Sequence, residues 1–161
     1  MIVPWKHNPR YGQERSYVRG MEWLGTCQLV EDWGCALAYA KNYCIGDYRG
    51  IDGTAGKADV IADLSTYKSE VDGVFMRHIL EHNFDWRDIL GNALQSFTKR
   101  MTLILYRPMQ DTEKVISSKP VEIDLPRFNL LDRLLPYLRS FEIIEGATHG
   151  HETIFYLEKL K

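Results

Sequence analysis

Val30-Glu31-Asp32-Trp33-Gly34-Cys35-Ala36-Leu37-Ala38 is the stretch on which the reading of the fold turns. The segment Gln28 to Trp33 (QLVEDW) reads as a strand, and Gly34 separates it from Ala36 to Tyr43 (ALAYAKNY), which reads as a short helix. A strand that runs through glycine into a helix lets the backbone approach a ligand closely, because no side chain holds the ligand off. A tight strand-to-helix turn needs the same residues without any ligand. Twenty residues after Asp32, a second strand, Tyr48 to Ile51, ends in Asp52-Gly53. Dinucleotide-type sheets carry an acid at this distance to grip ribose hydroxyls, and Asp-Gly is also a frequent turn pair.

Working outward, Gln13 to Leu24 places Tyr17, Met21 and Leu24 on one helical face, with Gly25 where such a helix ends. Residues 1 to 12 read as an irregular arm. Downstream come Asp59 to Leu64 (DVIADL) and Gly73 to Leu80 (GVFMRHIL), which begins as a buried strand. Phe84 to Lys99 is the clearest helix, with Trp86, Leu90, Leu94 and Phe97 in helical register and Asp85 as its N-cap. Met101 to Tyr106 (MTLILY) reads as a strand, residues 108 to 126 as a long excursion carrying three prolines, and Phe128 to Leu138 as an amphipathic helix. The tail SFEIIEGATHGHETIFYLEKL reads as two strands joined by a turn at His149-Gly150.

Strands alternating with helices require a parallel sheet covered on both faces. The expected class is therefore α/β, a doubly wound, mostly parallel Rossmann-like sheet with a C-terminal antiparallel hairpin. One domain spans residues 1–161, with an N-terminal arm and helix over 1–25 and a substrate-side insert over 108–126. Only six residues, Gly53 to Ala58, separate Asp52 from Asp59, too few for a helical crossover, and Ser65 to Asp72 is nearly as short. Helix cover is thus reduced around a stub of a third strand.

Composition fits one soluble domain: 161 residues, 45% apolar, four Trp. With 20 basic against 22 acidic side chains the net charge is -2, so no global field draws the chain to nucleic acid. No apolar run matches a membrane span and the first residues lack a secretory signal, so a cytoplasmic location is the default expectation. Cys27, Cys35 and Cys44 are odd in number and lack C-x-x-C spacing, which argues for reduced thiols rather than disulfides or a cysteine zinc site.

The order of these features resembles that of class I S-adenosylmethionine-dependent methyltransferases. VEDWGCALA is similar to their glycine-rich first motif, YRGIDG to the second, ADVIADL to the third, and VFMRHILEHN to the region after the fourth strand. The resemblance runs from about Val30 to Tyr106, and IFYLEKL matches the family's last antiparallel strand. It implies S-adenosylmethionine as cofactor, with Asp32, Gly34 and Ala36 at its methionine part, Asp52 and Gly53 at the ribose, and Asp63 and Leu64 at the adenine, with Arg77 beside them. Ala36 and Ala38 stand where the family usually has glycine.

His78, directly after the fourth strand, is the expected general base; a structural histidine at a strand end is the competing reading. His82, His149, His151 and Tyr11 are candidates to line the acceptor site, with solvated turn positions as the competing reading for His149 and His151. His78, Glu81 and His82 have the i, i+3, i+4 spacing of a metal-binding set, which some O-methyltransferases use in this place, although relatives with the same Leu-Glu-His run need no metal. Metal is therefore the weaker reading. The expected activity is methyl transfer to an oxygen or nitrogen of a small molecule or glycan. The alternatives are a non-catalytic cofactor-binding module or partner subunit, and a nucleic-acid methyltransferase, which the neutral charge disfavours. Thin cover near the third strand further suggests a homo-oligomer.

Overall fold

The computed structural model describes residues 14–147 and 150–160. In chain order these form α1 (Glu14–Trp23), β1 (Leu29–Trp33), β2 (Asp47–Asp52), β3 (Val60–Ile61), β4 (Val71–Arg77), α2 (Trp86–Ser96) and β5 (Phe97–Leu105). There follow β6 (Lys114–Ser118), β7 (Val121–Asp124), α3 (Arg127–Leu134), β8 (Leu138–Ala147) and β9 (Gly150–Glu158). Seven strands make one sheet in the order β3-β2-β1-β4-β5-β9-β8. The first five are parallel, while β9 runs antiparallel between β5 and β8. This is the doubly wound α/β sheet with a terminal hairpin that the sequence predicts.

Side-chain alternation along the strands builds a core on each face. On one face α1 packs Met21 and Leu24 against Val30, Phe75, Ile104 and Ile154. On the other, α2 and α3 pack Trp86, Leu90, Leu130 and Leu134 against Trp33, Val74, Met76 and Leu103. Trp86 and Leu90 are fully buried, and each such side chain contributes about 1.5–3 kcal/mol over an exposed one.

Several local expectations change. No α-helix follows the Gly34 loop: Ala36 and Ala38 have φ of 46° and 58°, and only a 3-10 helix, Tyr39–Tyr43, forms. Left-handed residues cannot be part of a right-handed helix, so the turn overrides the helix propensity of alanine. The helix expected over Phe84 to Lys99 is Trp86–Ser96, and Phe97 already opens β5. Asp85 makes no side-chain cap bond. The helix expected over Phe128 to Leu138 stops at Leu134, two residues before Pro136, whose ring cannot continue it. The excursion is not structureless, since β6 and β7 pair as a separate hairpin within it.

The third strand is the expected stub, two residues long. In place of a covering helix, the loop after it is tied down by Glu31, which is fully buried on β1. Its carboxylate accepts bonds from Trp33 Nε1 at 2.9 Å, Tyr67 Oη at 3.0 Å, Ser69 Oγ at 2.7 Å and Arg49 through two nitrogens. Asn92 on α2 donates to the Leu64 and Ser65 carbonyls of the same loop. Ile61, 62% exposed, is the apolar side chain left open on this edge.

Candidate cofactor and catalytic site

The strand ends place the chemistry. Trp33 lies beside Ile51 on β2 and Met76 on β4, so Gly34, Asp52 and Arg77 emerge together at the carboxyl edge of the sheet. Crevices at this edge are where open α/β sheets hold ligands. Gly34 has φ of 79°, and a Cβ there would fall 2.0 Å from Ile79 Cδ1, so a larger residue would both displace the Ile79 side chain and strain the backbone. The loop is pinned by the Gly34 N–H donating to the Ile51 carbonyl at 2.7 Å and the Ala36 N–H donating to Asp52 Oδ2 at 3.0 Å. Ala36 and Ala38 retain left-handed conformations that glycine adopts without cost and alanine adopts at about 1–2 kcal/mol each.

Asp32 is 4% exposed and accepts the Tyr48 hydroxyl at 2.6 Å. Burial raises its carboxyl to about 7, against the opposing effect of the Tyr48 bond and with a further push from Asp52. The other oxygen of Asp52 accepts the Thr54 N–H and hydroxyl, both at 3.0 Å. Asp63 is exposed beyond β3, its carboxylate accepting the Ser65 N–H and hydroxyl, while Leu64 is buried. Gly53 follows Asp52 at the mouth of the same edge and is exposed.

On the β4 side, Arg77 is buried and donates to Ser16 Oγ at 2.9 Å and Glu152 Oε1 at 2.7 Å, with its guanidinium 4.4 Å from the centre of the Tyr17 ring. His78 has φ of 57°, and its Nε2 lies 2.5 Å from the same Glu152 oxygen. Burial lowers the His78 imidazole to about 4, against the pull of Glu152 and assisted by Arg77. The Tyr106 ring lies between His78 and His82, at 4.9 and 5.3 Å.

His78, Glu81 and His82 do not converge. His82 Nδ1–H donates to the Val121 carbonyl at 2.7 Å, and Glu81 Oε1 accepts the Tyr106 N–H at 2.7 Å from a fully buried position. Among the described residues no group of three or more His, Cys, Asp or Glu side chains is placed to hold a metal ion. His151 stands half-buried on β9, on the face opposite Glu152. Tyr11 and His149 lie outside the described residues. Sequence reading missed Tyr48, Ser16 and Glu152. Ser16 and Glu152 lie 61 and 75 residues from Arg77, beyond any local spacing signal.

A hollow of about 390 Å³ opens at the opposite end of the sheet, lined by Gln28, Asp47, Glu70 and Asp72 among others. The perturbed groups are not there. Among the described residues no helix is long and apolar enough to cross a membrane.

The buried groups give folding a pH dependence. Burial holds Asp32 and Glu81 protonated up to about 7, well above their ordinary 3.8 and 4.5, and keeps His78 neutral down to about 4 against an ordinary 6.5. Between about pH 5.5 and 6.5, above the range in which ordinary carboxyls titrate, the folded chain therefore keeps two protons that the unfolded chain has lost and lacks one that much of it holds. Each raised carboxyl contributes stability at low pH that is lost as pH rises, and His78 contributes the reverse. One excess proton remains on the folded side, so stability falls by about 1.4 kcal/mol per pH unit as pH rises through this window. Urea unfolding at pH 5.5 and 6.5 measures it; greater stability at pH 6.5 would count against these burials.

A mostly parallel sheet with strand order β3-β2-β1-β4-β5-β9-β8 and β9 antiparallel, a glycine loop after β1 and an acid closing β2 are the features of the class I methyltransferase fold. Solved structures agree. The N-methyltransferase NodS from Bradyrhizobium japonicum WM9, in complex with S-adenosyl-l-homocysteine, superposes with a TM-score of 0.70 at 10% identity, over 97% of this chain and 90% of NodS. Magnesium protoporphyrin IX methyltransferase (ChlM) from Synechocystis PCC 6803 with bound SAM gives 0.67 at 14% identity, over 94% and 82%. An S-adenosylmethionine-dependent methyltransferase from Mesorhizobium loti gives 0.60 at 10% identity, over 84% and 92%. At the level of sequence, no family model and no curated protein matches the chain.

Proposed function

We propose that the chain is an S-adenosylmethionine-dependent methyltransferase acting on an oxygen or nitrogen of a small molecule or glycan. The observation that carries this reading is the convergence of Asp32, the Gly34 loop, Asp52 and His78 at the carboxyl edge of a class I sheet. The donor set fits the cofactor. Asp32, a buried carboxyl in no ion pair among the described residues, suits the positive charge of the methionine part, Asp52 and Gly53 suit the ribose, and Asp63 with Leu64 suits the adenine. Gly34 and Ala36 leave the backbone close to the ligand, and Arg77 closes the β4 side.

When bound, S-adenosylmethionine supplies a methyl group on a sulfonium sulfur, already a strong electrophile. The protein's share is then mostly positioning, holding acceptor and methyl in attack geometry. In this reading His78 is the acceptor-side residue, and the Tyr106 ring packs against both it and His82. An imidazole at about 4 is a weak base at rest, so it accepts a hydrogen bond from the acceptor and takes its proton late, once bond formation has made that proton acidic. The near-zero net charge favours a neutral or lightly charged acceptor over nucleic acid.

Titration calorimetry with S-adenosylmethionine tests the reading. Saturable binding is expected, weakened about tenfold or more in Asp52→Ala. Affinity should also rise from pH 6 to 8, because Asp32 must lose its proton to face a cation. Absence of binding, or unchanged affinity in Asp52→Ala, overturns the proposal. A second reading, a non-catalytic binder of the same cofactor, draws on Ala36 and Ala38 at strained glycine positions. Methyl transfer to any member of a metabolite and glycan panel, lost in His78→Ala with binding intact, decides against that second reading.

A further inference from the structure

We propose that β8, the open edge of the main sheet, pairs with itself, joining two copies of the chain antiparallel about a two-fold axis at Glu142. The inference is independent of the methyltransferase reading and places the contact away from the thinly covered third strand. Among the described residues β8 pairs only with β9, so no strand lies beyond its outer side. An edge of this kind is a template for another chain, and folds blunt it by keeping the strand short or charged. The opposite edge is blunted in the first way, since β3 has two residues. β8 has ten, and it presents Phe141 and Ile143 at 61% and 56% exposure.

The apolar surface continues onto α3. Phe141 stands opposite Phe155 in the ladder, the two rings 6.4 Å apart, and Phe155 belongs to the core beneath α2 and α3. Phe141 and Ile143, two positions apart, therefore both face that side. Arg133 of α3 donates to the Arg87 carbonyl of α2 at 2.8 Å, which marks the flank of α3 turned toward α2. Phe128, Leu131 and Leu135, at i, i+3 and i+7, form the other flank, and Phe128 and Leu135 are exposed. Four open side chains of this size amount to roughly 500 Å² per copy, a patch of the size that marks a contact surface. With the strand backbone added, they reach the low end of stable interfaces, about 600 Å² per partner.

The register follows from where the strand is regular. Bulges interrupt the ladder between Leu138 and Ser140 and between Glu145 and Ala147, and the Glu145 carbonyl already accepts Arg15 Nη2 at 2.6 Å. What remains is the stretch 140–144, centred on Glu142. Antiparallel pairing of this stretch with itself sets Phe141 opposite Ile143 of the second copy, and does so twice, on one face. An aromatic ring against a β-branched side chain is a favoured cross-strand pair, and each contact recurs in both halves, as in any isologous interface. On the other face the two Glu142 carboxylates approach across the axis, where like charges oppose pairing. Arg19 of α1 lies 3.4 Å from Glu142 in each copy and offsets that repulsion. A net charge of -2 per chain adds little to it. The seam runs along β8, three places from β4 in the sheet, so it leaves the carboxyl edge with Asp52 and Arg77 open.

Light scattering of the full chain up to about 100 µM tests the surface, with a dimer expected at the upper end. A monomer throughout overturns the proposal, whether the β8 amides exchange freely with solvent or are protected by a segment of the same chain. Phe141→Glu and Ile143→Lys should each weaken the dimer about a hundredfold or more, while Ile61→Glu, at the opposite edge, should leave it unchanged. All three positions are exposed, so the variants should fold, and circular dichroism checks that they do. In an equimolar mixture of Phe141→Glu and Ile143→Lys chains the introduced carboxylate and ammonium face each other across the axis. A heterodimer is therefore expected where each variant alone is monomeric. A dimer that survives either single β8 variant, one that is lost in Ile61→Glu, or a mixture that stays monomeric overturns the proposal.

Discussion

Replacing Glu31 with alanine is expected to remove about 3–5 kcal/mol of folding stability, the usual effect of breaking a buried charged pair. The carboxylate is fully buried and receives hydrogen bonds from Trp33, Arg49, Tyr67 and Ser69. Two of those donors belong to the loop that stands in for a sheet-covering helix, so the loss is not confined to one contact. Trp33 Nε1 would be left buried without its partner, and such an orphan alone costs about 1–3 kcal/mol. Arg49 would be harmed least, because its side chain is 38% exposed and water replaces the carboxylate. Against a total stability of about 5–15 kcal/mol the change is large. Urea unfolding followed by circular dichroism measures it, and a thermal melt should show a fall in Tm of roughly 10 °C. Trypsin cleavage at Lys68 in the released loop is the local signature. A loss below about 1 kcal/mol would mean that Asn92 and the apolar contacts hold the loop unaided.

Arg77→Met should cost a similar 3–5 kcal/mol, for a different reason. The arginine and Glu152 side chains are 6% and 3% exposed, so removing the cation strands a carboxylate where water cannot reach it. The substitution also removes the stacking on Tyr17 and the bond to Ser16. A buried ion pair is itself weak evidence of net stabilisation, because desolvation offsets its attraction. The double variant Arg77→Met/Glu152→Leu is therefore expected to recover most of the stability lost in the single variant. In Arg77→Met the His78 imidazole should titrate higher than its present value of about 4, since one repelling charge is gone. Chemical denaturation of the three proteins and a histidine NMR titration give both readouts. A double variant as unstable as the single one would show that packing around Arg77, rather than charge, is what matters.

The parts of the molecule legible in the sequence are those set by local pattern. Alternating apolar strands, the Gly34 turn and the acid at Asp52 are signals carried by neighbouring residues, and all three stand where they were expected. The shortage of chain at Gly53 to Ala58 likewise announced the two-residue β3. Local reading failed where backbone geometry overrode propensity. Ala36 to Tyr43 is rich in alanine and reads as helix, yet the turn forces Ala36 and Ala38 into left-handed conformations. The His78-Glu81-His82 spacing suggested one ligand face, but it presumes a helix. The chain there is a left-handed residue followed by a single 3-10 turn, so the three side chains take separate partners.

By itself, then, the sequence determined the order of the seven strands of the main sheet and of the three α-helices beside them, the carboxyl edge of the sheet and the acids Asp32 and Asp52 that stand at it. These depend on spacing within a few residues or on the length between strands. Only the tertiary structure decided which charges share a site. Arg77 and His78 meet Glu152 because β9 returns antiparallel beside β5, and Glu31 meets Tyr67 and Ser69 because a loop folds back over β1. Contacts between residues tens of positions apart leave no periodic trace along the chain. Their protonation follows from burial, which exists only once the sheet and its covering layers have closed around them.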